Sequence, residues 1–260
     1  MKVVILCGGQ GTRIRDVADN IPKPMITIGN YPILWHIMKS YATQGFNEFI
    51  LCLGYKSQVI KDYFMNYAAH TSDFTINLGN KNTIEFHNKV SEQDWKITFA
   101  ETGLNSMTGA RIKKIKKYIG IDETFMLTYG DGLSDVNISE LINFHKSHGK
   151  ALTLTGVRPA GRFGEIMTDS DGRIIEFNEK PQATEGKING GFFVCNYTLF
   201  DYLGNAEDLV FEQEPMKKLV KAKELMQYNH DGFWQPMDTY REYILLNSLY
   251  DNNKAPWVNW

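Results

Sequence analysis

Near its start the chain reads VVILCGGQGTR, from Val3 to Arg13. The uninterrupted apolar run over 3–6 is typical of a strand buried on both faces of a parallel sheet. The glycines that follow allow backbone N–H groups to approach an anion closely, since no Cβ stands in the way. Arg13 and Lys23 add two positive charges nearby in the chain. The stretch predicts a strand that ends in a cradle for a triphosphate, with a plain structural turn as the alternative.

Apolar runs and helical patterns alternate after this stretch. Strands are predicted at 49–53, 125–128 and 151–157, and helices at 33–42, 57–67, 110–118 and 138–148. This order predicts right-handed βαβ units. We therefore expect an α/β, Rossmann-like fold over residues 1–260, in which helices flank a mixed, mostly parallel sheet.

Two regions depart from that alternation. Residues 71–100 contain three period-two segments, at 74–78, 83–87 and 95–99, which predict a small antiparallel β insert. The tail over 239–260 begins with a predicted C-terminal helix. The insert is a natural place for subunit contacts or for substrate selection.

Composition narrows the class of protein. Of the 260 residues, 43% are hydrophobic and 22% charged, and the net charge is −2, so neither nucleic acid nor an anionic membrane is expected as a partner. No apolar run approaches the roughly 20 residues of a membrane span, and the first apolar run is too short for a signal peptide. A cytoplasmic protein is the expectation. Cys7, Cys52 and Cys195 lie in apolar surroundings without metal-ligand spacing, which predicts buried, reduced thiols.

Two lysines precede prolines, Lys23 before Pro24 and Lys180 before Pro181. A residue before proline avoids the α region, so both lysines are expected in extended backbone. The pair predicts two phosphate-binding lysines, one for each of two substrates. Two ordinary surface lysines are the alternative.

Two aspartates are candidate metal ligands. Asp131 follows the predicted central strand at 125–128, at the sheet edge where α/β proteins bind ligands. Asp238 is the second candidate. Mg²⁺ often takes one or two protein carboxylates together with phosphate oxygens and water. The structural alternatives are a turn cap for Asp131 and a helix N-cap for Asp238.

Three other patterns favour structural interpretations. The basic run over 111–117 predicts a solvated helix face, with Arg111 as the position that could differ. His145 and His148 have helical spacing but no further ligand, which argues against zinc. Asp169-Ser170-Asp171 matches the D-x-D of glycosyltransferases, but Gly172 follows it and a hairpin turn is favoured.

The combination of these stretches resembles the sugar-1-phosphate nucleotidyltransferases, and within them the glucose-1-phosphate cytidylyltransferases. The resemblance covers essentially the whole chain. It is carried by residues 8–13, 23–25, 32–38, 106–109, 130–131, 161–164, 179–181, 188–194, 232–239 and 254–257. The loop over 14–21 departs from the pattern of these relatives.

The resemblance implies that CTP and glucose 1-phosphate react, with Mg²⁺, to give CDP-glucose and pyrophosphate on a nucleotidyltransferase fold. It implies catalytic roles for Arg13, Lys23 and Asp131, and metal binding by Asp131 and Asp238. The implied nucleotide-binding residues are Leu6, Gly8, Gly9, Gly11, Thr12, Arg13, Lys23, Thr108, Gly109, Arg111 and Asp131. The implied sugar-phosphate-binding residues are Tyr129, Gly164, Glu179, Lys180, Asn189 and Gly191. A donation from Arg111 to the cytosine base is one further hypothesis.

The resemblance also implies a homo-oligomer, for which a hexamer is one assembly, with the insert at 71–100 and the tail as contact surfaces. It further implies a role in nucleotide-sugar biosynthesis for O-antigen lipopolysaccharide. Other interpretations stay open at the level of the sequence. The same chemistry could serve another nucleotide or another sugar 1-phosphate. A glycosyltransferase would release no pyrophosphate, and a regulatory nucleotide-binding protein would show no turnover.

Overall fold

A seven-stranded sheet forms the centre of the molecule in the computed structural model. The structure describes residues 1–9, 14, 21–79, 83–159, 165–168, 170–178 and 186–260. The strands are β1 (Val3–Leu6), β2 (Thr27–Ile28), β3 (Tyr31–Pro32), β4 (Glu48–Leu53), β5 (Phe74–Ile76), β6 (Ile84–Phe86), β7 (Lys96–Glu101), β8 (Phe125–Tyr129), β9 (Gly132–Ser134), β10 (Leu152–Val157), β11 (Glu165–Thr168), β12 (Ile174–Asn178), β13 (Ile188–Cys195), β14 (Leu225–Asn229) and β15 (Trp234–Pro236). The helices are α1 (Ile33–Ala42), α2 (Ser57–Met65), α3 (Tyr67–Thr71), α4 (Thr108–Lys114), α5 (Ile138–His148), α6 (Glu214–Ala222) and α7 (Tyr240–Asp251).

The order of the main sheet is β14-β10-β13-β8-β1-β4-β7. Its neighbours are parallel except where β13 runs antiparallel to β8 and β10. The predicted mixed, mostly parallel α/β fold is therefore confirmed. The carboxyl ends of β1, β4 and β8 meet at one edge, and Gly8 and Gly9 follow β1 there.

Strand β1 separates two hydrophobic cores because its side chains alternate between the faces of the sheet. Val3 and Ile5 pack with α1 and α5 in one core. Val4 packs with α4 and α6 in the other core. Both faces are covered, which explains the uninterrupted apolar sequence of this strand.

The predicted antiparallel insert is right for two of its three segments. β5 and β6 form an antiparallel hairpin. The third segment, predicted at 95–99, is instead β7, which pairs in parallel with β4 as the edge of the main sheet. An edge strand with one covered face alternates with the same period as a hairpin strand, so the local pattern could not reveal its partner.

The β5–β6 hairpin carries exposed apolar side chains. Phe74, Ile76, Ile84 and Phe86 are each between 40% and 49% exposed. The Phe74 and Phe86 rings lie 5.6 Å apart across the strands.

No helix in the described part of the chain has the length and apolar character needed to cross a membrane.

The tail after α7 returns to α1 through buried aromatic rings. Trp257 is 1% exposed, and its indole N–H donates to His36 Nδ1 at 3.4 Å. His36 Nε2 lies 2.9 Å from the Ile28 carbonyl oxygen. These partners suit the neutral tautomer with the proton on Nε2, and burial lowers the pKa of His36 to about 4.

The neutral, buried His36 predicts stability that is lost in acid. Between the folded-state pKa of about 4 and an unfolded value of about 6.5, the unfolded chain binds more protons, so stability falls as pH falls. We expect urea unfolding to show a loss of about 2 kcal/mol from this residue between about pH 7 and about pH 5. His36→Gln should lower stability at both pH values but remove this part of the pH dependence. An unchanged pH dependence in the variant would contradict the assignment.

Candidate active site

A cavity of about 370 Å³ opens at the carboxyl ends of β1 and β8. It is lined by Leu6, Cys7, Gly8, Gly9, Ile14, Lys23, Pro24, Ser106, Met107, Thr108, Arg111, Tyr129, Gly130, Asp131 and Asp238. Seven residues predicted for the nucleotide are among them, namely Leu6, Gly8, Gly9, Lys23, Thr108, Arg111 and Asp131. Gly109 is not, because it packs against Leu209, where an added Cβ would lie 2.8 Å from Leu209 Cγ.

A second cavity of about 240 Å³ lies beside the first. It is lined by Thr128, Tyr129, Asp131, Gly132, Asn189, Gly190, Gly191, Phe192, Trp234, Pro236 and Asp238. Three residues predicted for the sugar phosphate, Tyr129, Asn189 and Gly191, are therefore together. Tyr129, Asp131 and Asp238 line both cavities, so two small molecules bound there would meet at the carboxylates.

Six predicted site residues fall outside the described part of the chain. They are Gly11, Thr12, Arg13, Gly164, Glu179 and Lys180. The roles assigned to them stay predictions.

The two aspartates are brought together by a short strand pair. β9 follows Asp131 and pairs with β15, with Gly132 opposite Pro236. The Met237 N–H donates to the Asp131 carbonyl at 2.8 Å. Asp238 does not provide the side-chain cap of α7, because Thr239 is the N-cap and forms a capping box with Glu242. This leaves the Asp238 carboxylate directed at the cavity.

Lys23 lies between these carboxylates. Its Nζ donates to Asp131 Oδ2 at 2.5 Å and to Asp238 Oδ1 at 2.6 Å, and its side chain is 11% exposed. Burial opposes its charge, but the attraction of Asp131 and Asp238 outweighs burial and raises the pKa of Lys23. The expectation of extended backbone is wrong, since Lys23 begins a 3-10 turn over Lys23–Met25. The preceding Pro22 is the extended residue.

Arg111 is 5% exposed and holds the ends of three strands together. Its Nη1 donates to the Leu53 and Gly103 carbonyls and to the Thr102 hydroxyl at 2.8 to 2.9 Å. Its Nη2 donates to the Gly8 carbonyl at 3.0 Å. These backbone partners hold Gly8 in place at the start of the glycine-rich stretch. Donation from Arg111 to a cytosine stays a prediction. Arg111 is thus the buried exception within the basic run. Of its four lysines, Lys114 and Lys117 are exposed as expected, whereas Lys113 and Lys116 are half-buried.

Glu212 contacts two residues that line the cavities, and nothing in the sequence analysis predicted it. It accepts hydrogen bonds from the Thr108 hydroxyl, at 2.7 Å, and from the Tyr129 hydroxyl. Burial and the negative charge of Glu212 raise the pKa of Tyr129. The Asn189 amide donates to the Tyr129 hydroxyl at 3.3 Å and accepts from the Gly191 N–H at 2.9 Å. These hydrogen bonds connect Thr108 in the larger cavity, through Glu212 and Tyr129, to Asn189 in the smaller cavity.

Trp234 was included only within the stretch 232–239 that carried the resemblance. Its indole N–H donates to the Gly190 carbonyl at 2.7 Å. The side chain lines the smaller cavity. Gly191 has φ of +78°, and an added Cβ would lie 2.3 Å from the Tyr129 ring. Nothing local in the sequence identifies Glu212, because its contacts are with residues more than 80 positions away.

The remaining patterns have structural roles. His145 and His148 both contact the Thr153 hydroxyl, each at 2.8 Å. No group of three or more metal-ligating side chains occurs within the described residues. β11 and β12 pair as the predicted hairpin, and Ser170 and Asp171 lie in its turn. Asp169 is outside the described residues. The three cysteines are buried and free, as expected.

A family model described as nucleotidyl transferase matches residues 2–252. The chain belongs to the nucleotidyl transferase family. It is 48% identical over 260 residues to glucose-1-phosphate cytidylyltransferase from Salmonella typhi, with all of both chains covered. It is 31% identical over 237 residues to D-glycero-alpha-D-manno-heptose 1-phosphate guanylyltransferase from Aneurinibacillus thermoaerophilus, covering 90% of this chain and 91% of that one. The expected family resemblance is confirmed.

A solved structure shares this fold along almost the whole chain. HddC from Yersinia pseudotuberculosis, complexed with GMP-PN, matches with a TM-score of 0.67 and 24% identity. That match covers 96% of this chain and 99% of the other. At these identities the likeness supports the fold alone.

Gly8 and Gly9 provide a matched test of the Arg111 contacts. A Cβ at Gly8 would lie 2.1 Å from Arg111 Nη1, whereas a Cβ at Gly9 would meet nothing within 4 Å. We expect Gly8→Ala to lower the free energy of unfolding by about 1–3 kcal/mol, because the guanidinium must move. Gly9→Ala should change it by no more than about 0.5 kcal/mol. Equal effects in chemical denaturation would refute a turn shaped by Arg111.

Proposed function

We propose that the protein transfers CMP from CTP to α-D-glucose 1-phosphate, giving CDP-glucose and pyrophosphate. The observation that carries the proposal is the pair of cavities that meet at Asp131 and Asp238, whose carboxylates both accept from Lys23 Nζ. The choice of CTP and glucose 1-phosphate is supported by the identity of 48% over the whole chain to the Salmonella typhi relative. The triphosphate would occupy the larger cavity and the sugar phosphate the smaller one.

The reaction needs positioning and charge more than a protein nucleophile. An oxygen of the sugar phosphate is already anionic, so it can attack the α-phosphorus of CTP in line without a strong base. The new bond joins that oxygen to the α-phosphorus, and the bond to the bridging oxygen of pyrophosphate breaks. Lys23 would neutralise the charge on the leaving pyrophosphate, and Arg13 is proposed to share this role.

Asp131 and Asp238 fit a divalent cation such as Mg²⁺. Both present carboxylate oxygens to one point, as their shared contact with Lys23 Nζ demonstrates. Hard oxygen ligands, with phosphate and water completing the shell, are what Mg²⁺ prefers. When bound, Mg²⁺ would neutralise phosphate charge and orient the phosphates. The protein's own contribution is to hold the two carboxylates at the junction of the cavities.

A pyrophosphate-release assay tests the proposed reaction directly. With glucose 1-phosphate and Mg²⁺, we expect release from CTP to exceed release from UTP, ATP, GTP or dTTP by more than about tenfold. Omitting the sugar phosphate or adding EDTA should abolish release. No release with CTP would refute the proposed reaction, and equal release with UTP would refute the specificity for cytosine. When other sugar 1-phosphates replace glucose 1-phosphate, faster release with one of them would refute the assignment of the sugar.

We also propose that the protein works as a homo-oligomer in the cytoplasm, with a hexamer as one candidate assembly. The exposed apolar side chains of the β5–β6 hairpin support a contact between copies, because such a surface is covered in many assemblies. Sedimentation of the purified protein should give a mass that is a multiple of the 29.8 kDa chain. Phe86→Ser should shift that mass toward the single chain. A native protein that sediments as a monomer would contradict the assembly.

A further inference from the structure

Lys23 takes up the position between the two carboxylates that a divalent cation would need. Its single ammonium nitrogen lies 2.5 Å from Asp131 Oδ2 and 2.6 Å from Asp238 Oδ1. A Mg²⁺ ion bound by the same two oxygens would lie about 2.0–2.1 Å from each. The two positions overlap, so the ammonium group and a bridging metal ion exclude one another.

The larger cavity offers Lys23 another place to bind. Lys23 lines that cavity together with Gly8 and Gly9, on the side proposed for the triphosphate. The lysine side chain is a flexible four-carbon stem with a compact charge, which can move between neighbouring anions without a change of backbone. A triphosphate in the cavity would therefore compete with the carboxylates for the ammonium group.

We propose that Lys23 occupies the cation position in the nucleotide-free protein and leaves it when a triphosphate binds. Lys23 then has two roles in succession: it neutralises Asp131 and Asp238 in the resting protein and the phosphates in the substrate complex. The nucleotide-free protein consequently binds divalent cations weakly, and the metal enters together with the triphosphate. This inference rests on the proposed metal site, but on neither the base nor the sugar.

Mn²⁺ binding to the nucleotide-free, full-length protein tests the exchange without any turnover. Electron paramagnetic resonance of free Mn²⁺ gives the affinity directly. We expect Lys23→Met to bind Mn²⁺ at least about tenfold more tightly than the native protein, because the competing charge is gone. The double variant Lys23→Met with Asp131→Asn should lose this gain. Lys39→Met is the matched control, since Lys39 is a similarly buried lysine that pairs with Glu92 away from the cavities, and it should leave Mn²⁺ affinity unchanged.

The outcomes separate this inference from the proposed reaction. The exchange is overturned if Lys23→Met raises the Mn²⁺ affinity by less than about threefold, or if the gain in affinity persists in the double variant with Asp131→Asn. A larger gain that disappears with Asp131→Asn supports it. If Lys23→Met is unstable without metal, its thermal midpoint must rise with Mn²⁺ more than that of the native protein. No difference in that rise also overturns the proposal. A protein that uses a nucleotide other than CTP would still show the exchange, so the two failures are distinguishable.

Discussion

The ammonium group of Lys23 is held between two carboxylates, and the rest of the site depends on this arrangement. The three side chains come from the 3-10 turn after the glycine loop, from the end of β8 and from the end of β15. The Lys23 side chain is only 11% exposed, so its charge needs a partner. Two carboxylates held this close together in turn favour a cation between them. The β9–β15 pair supplies the geometry, because it fixes the distance between the segments that carry Asp131 and Asp238. The two carboxylates line both cavities, and Lys23 lines the larger one.

A second buried cation has a different role. Arg111 directs its terminal nitrogens mainly to backbone carbonyls, including those of Gly8 and Leu53. A planar guanidinium with donors in a fixed fork suits acceptors at fixed positions, whereas the flexible lysine stem suits partners that change. Glycine is needed at position 8 because the guanidinium occupies the space of a Cβ. Arg111 thus holds Gly8 from one side, while Gly9 has open space where a Cβ would point.

Much of the fold was predictable because buried parallel strands and amphipathic helices have distinct local patterns. The uninterrupted run over 3–6 is β1, and the helix predicted at 138–148 is α5 with the same bounds. The partner of β7 was not predictable, since an edge strand and a hairpin strand share the same alternation. The prediction for the backbone at Lys23 is wrong, because the rule for a residue before proline is only a bias. Lys23 instead forms a 3-10 turn, in which the Met25 N–H donates to the Pro22 carbonyl and the Ile26 N–H to the Lys23 carbonyl.

For the site, the sequence by itself determined which groups are candidates: a glycine-rich stretch, two lysines before prolines, Asp131 after a predicted strand, and Asp238. It also determined the family, because the matching stretches extend along the whole chain. Only the tertiary structure decided that Lys23 forms ion pairs with both aspartates. It also decided that Arg111 donates hydrogen bonds to backbone carbonyls, and that Glu212 accepts hydrogen bonds from both Thr108 and Tyr129. The physical reason is distance along the chain. Residue types record which groups are present, but contacts across 100 or more positions depend on the sheet that brings the strand ends together.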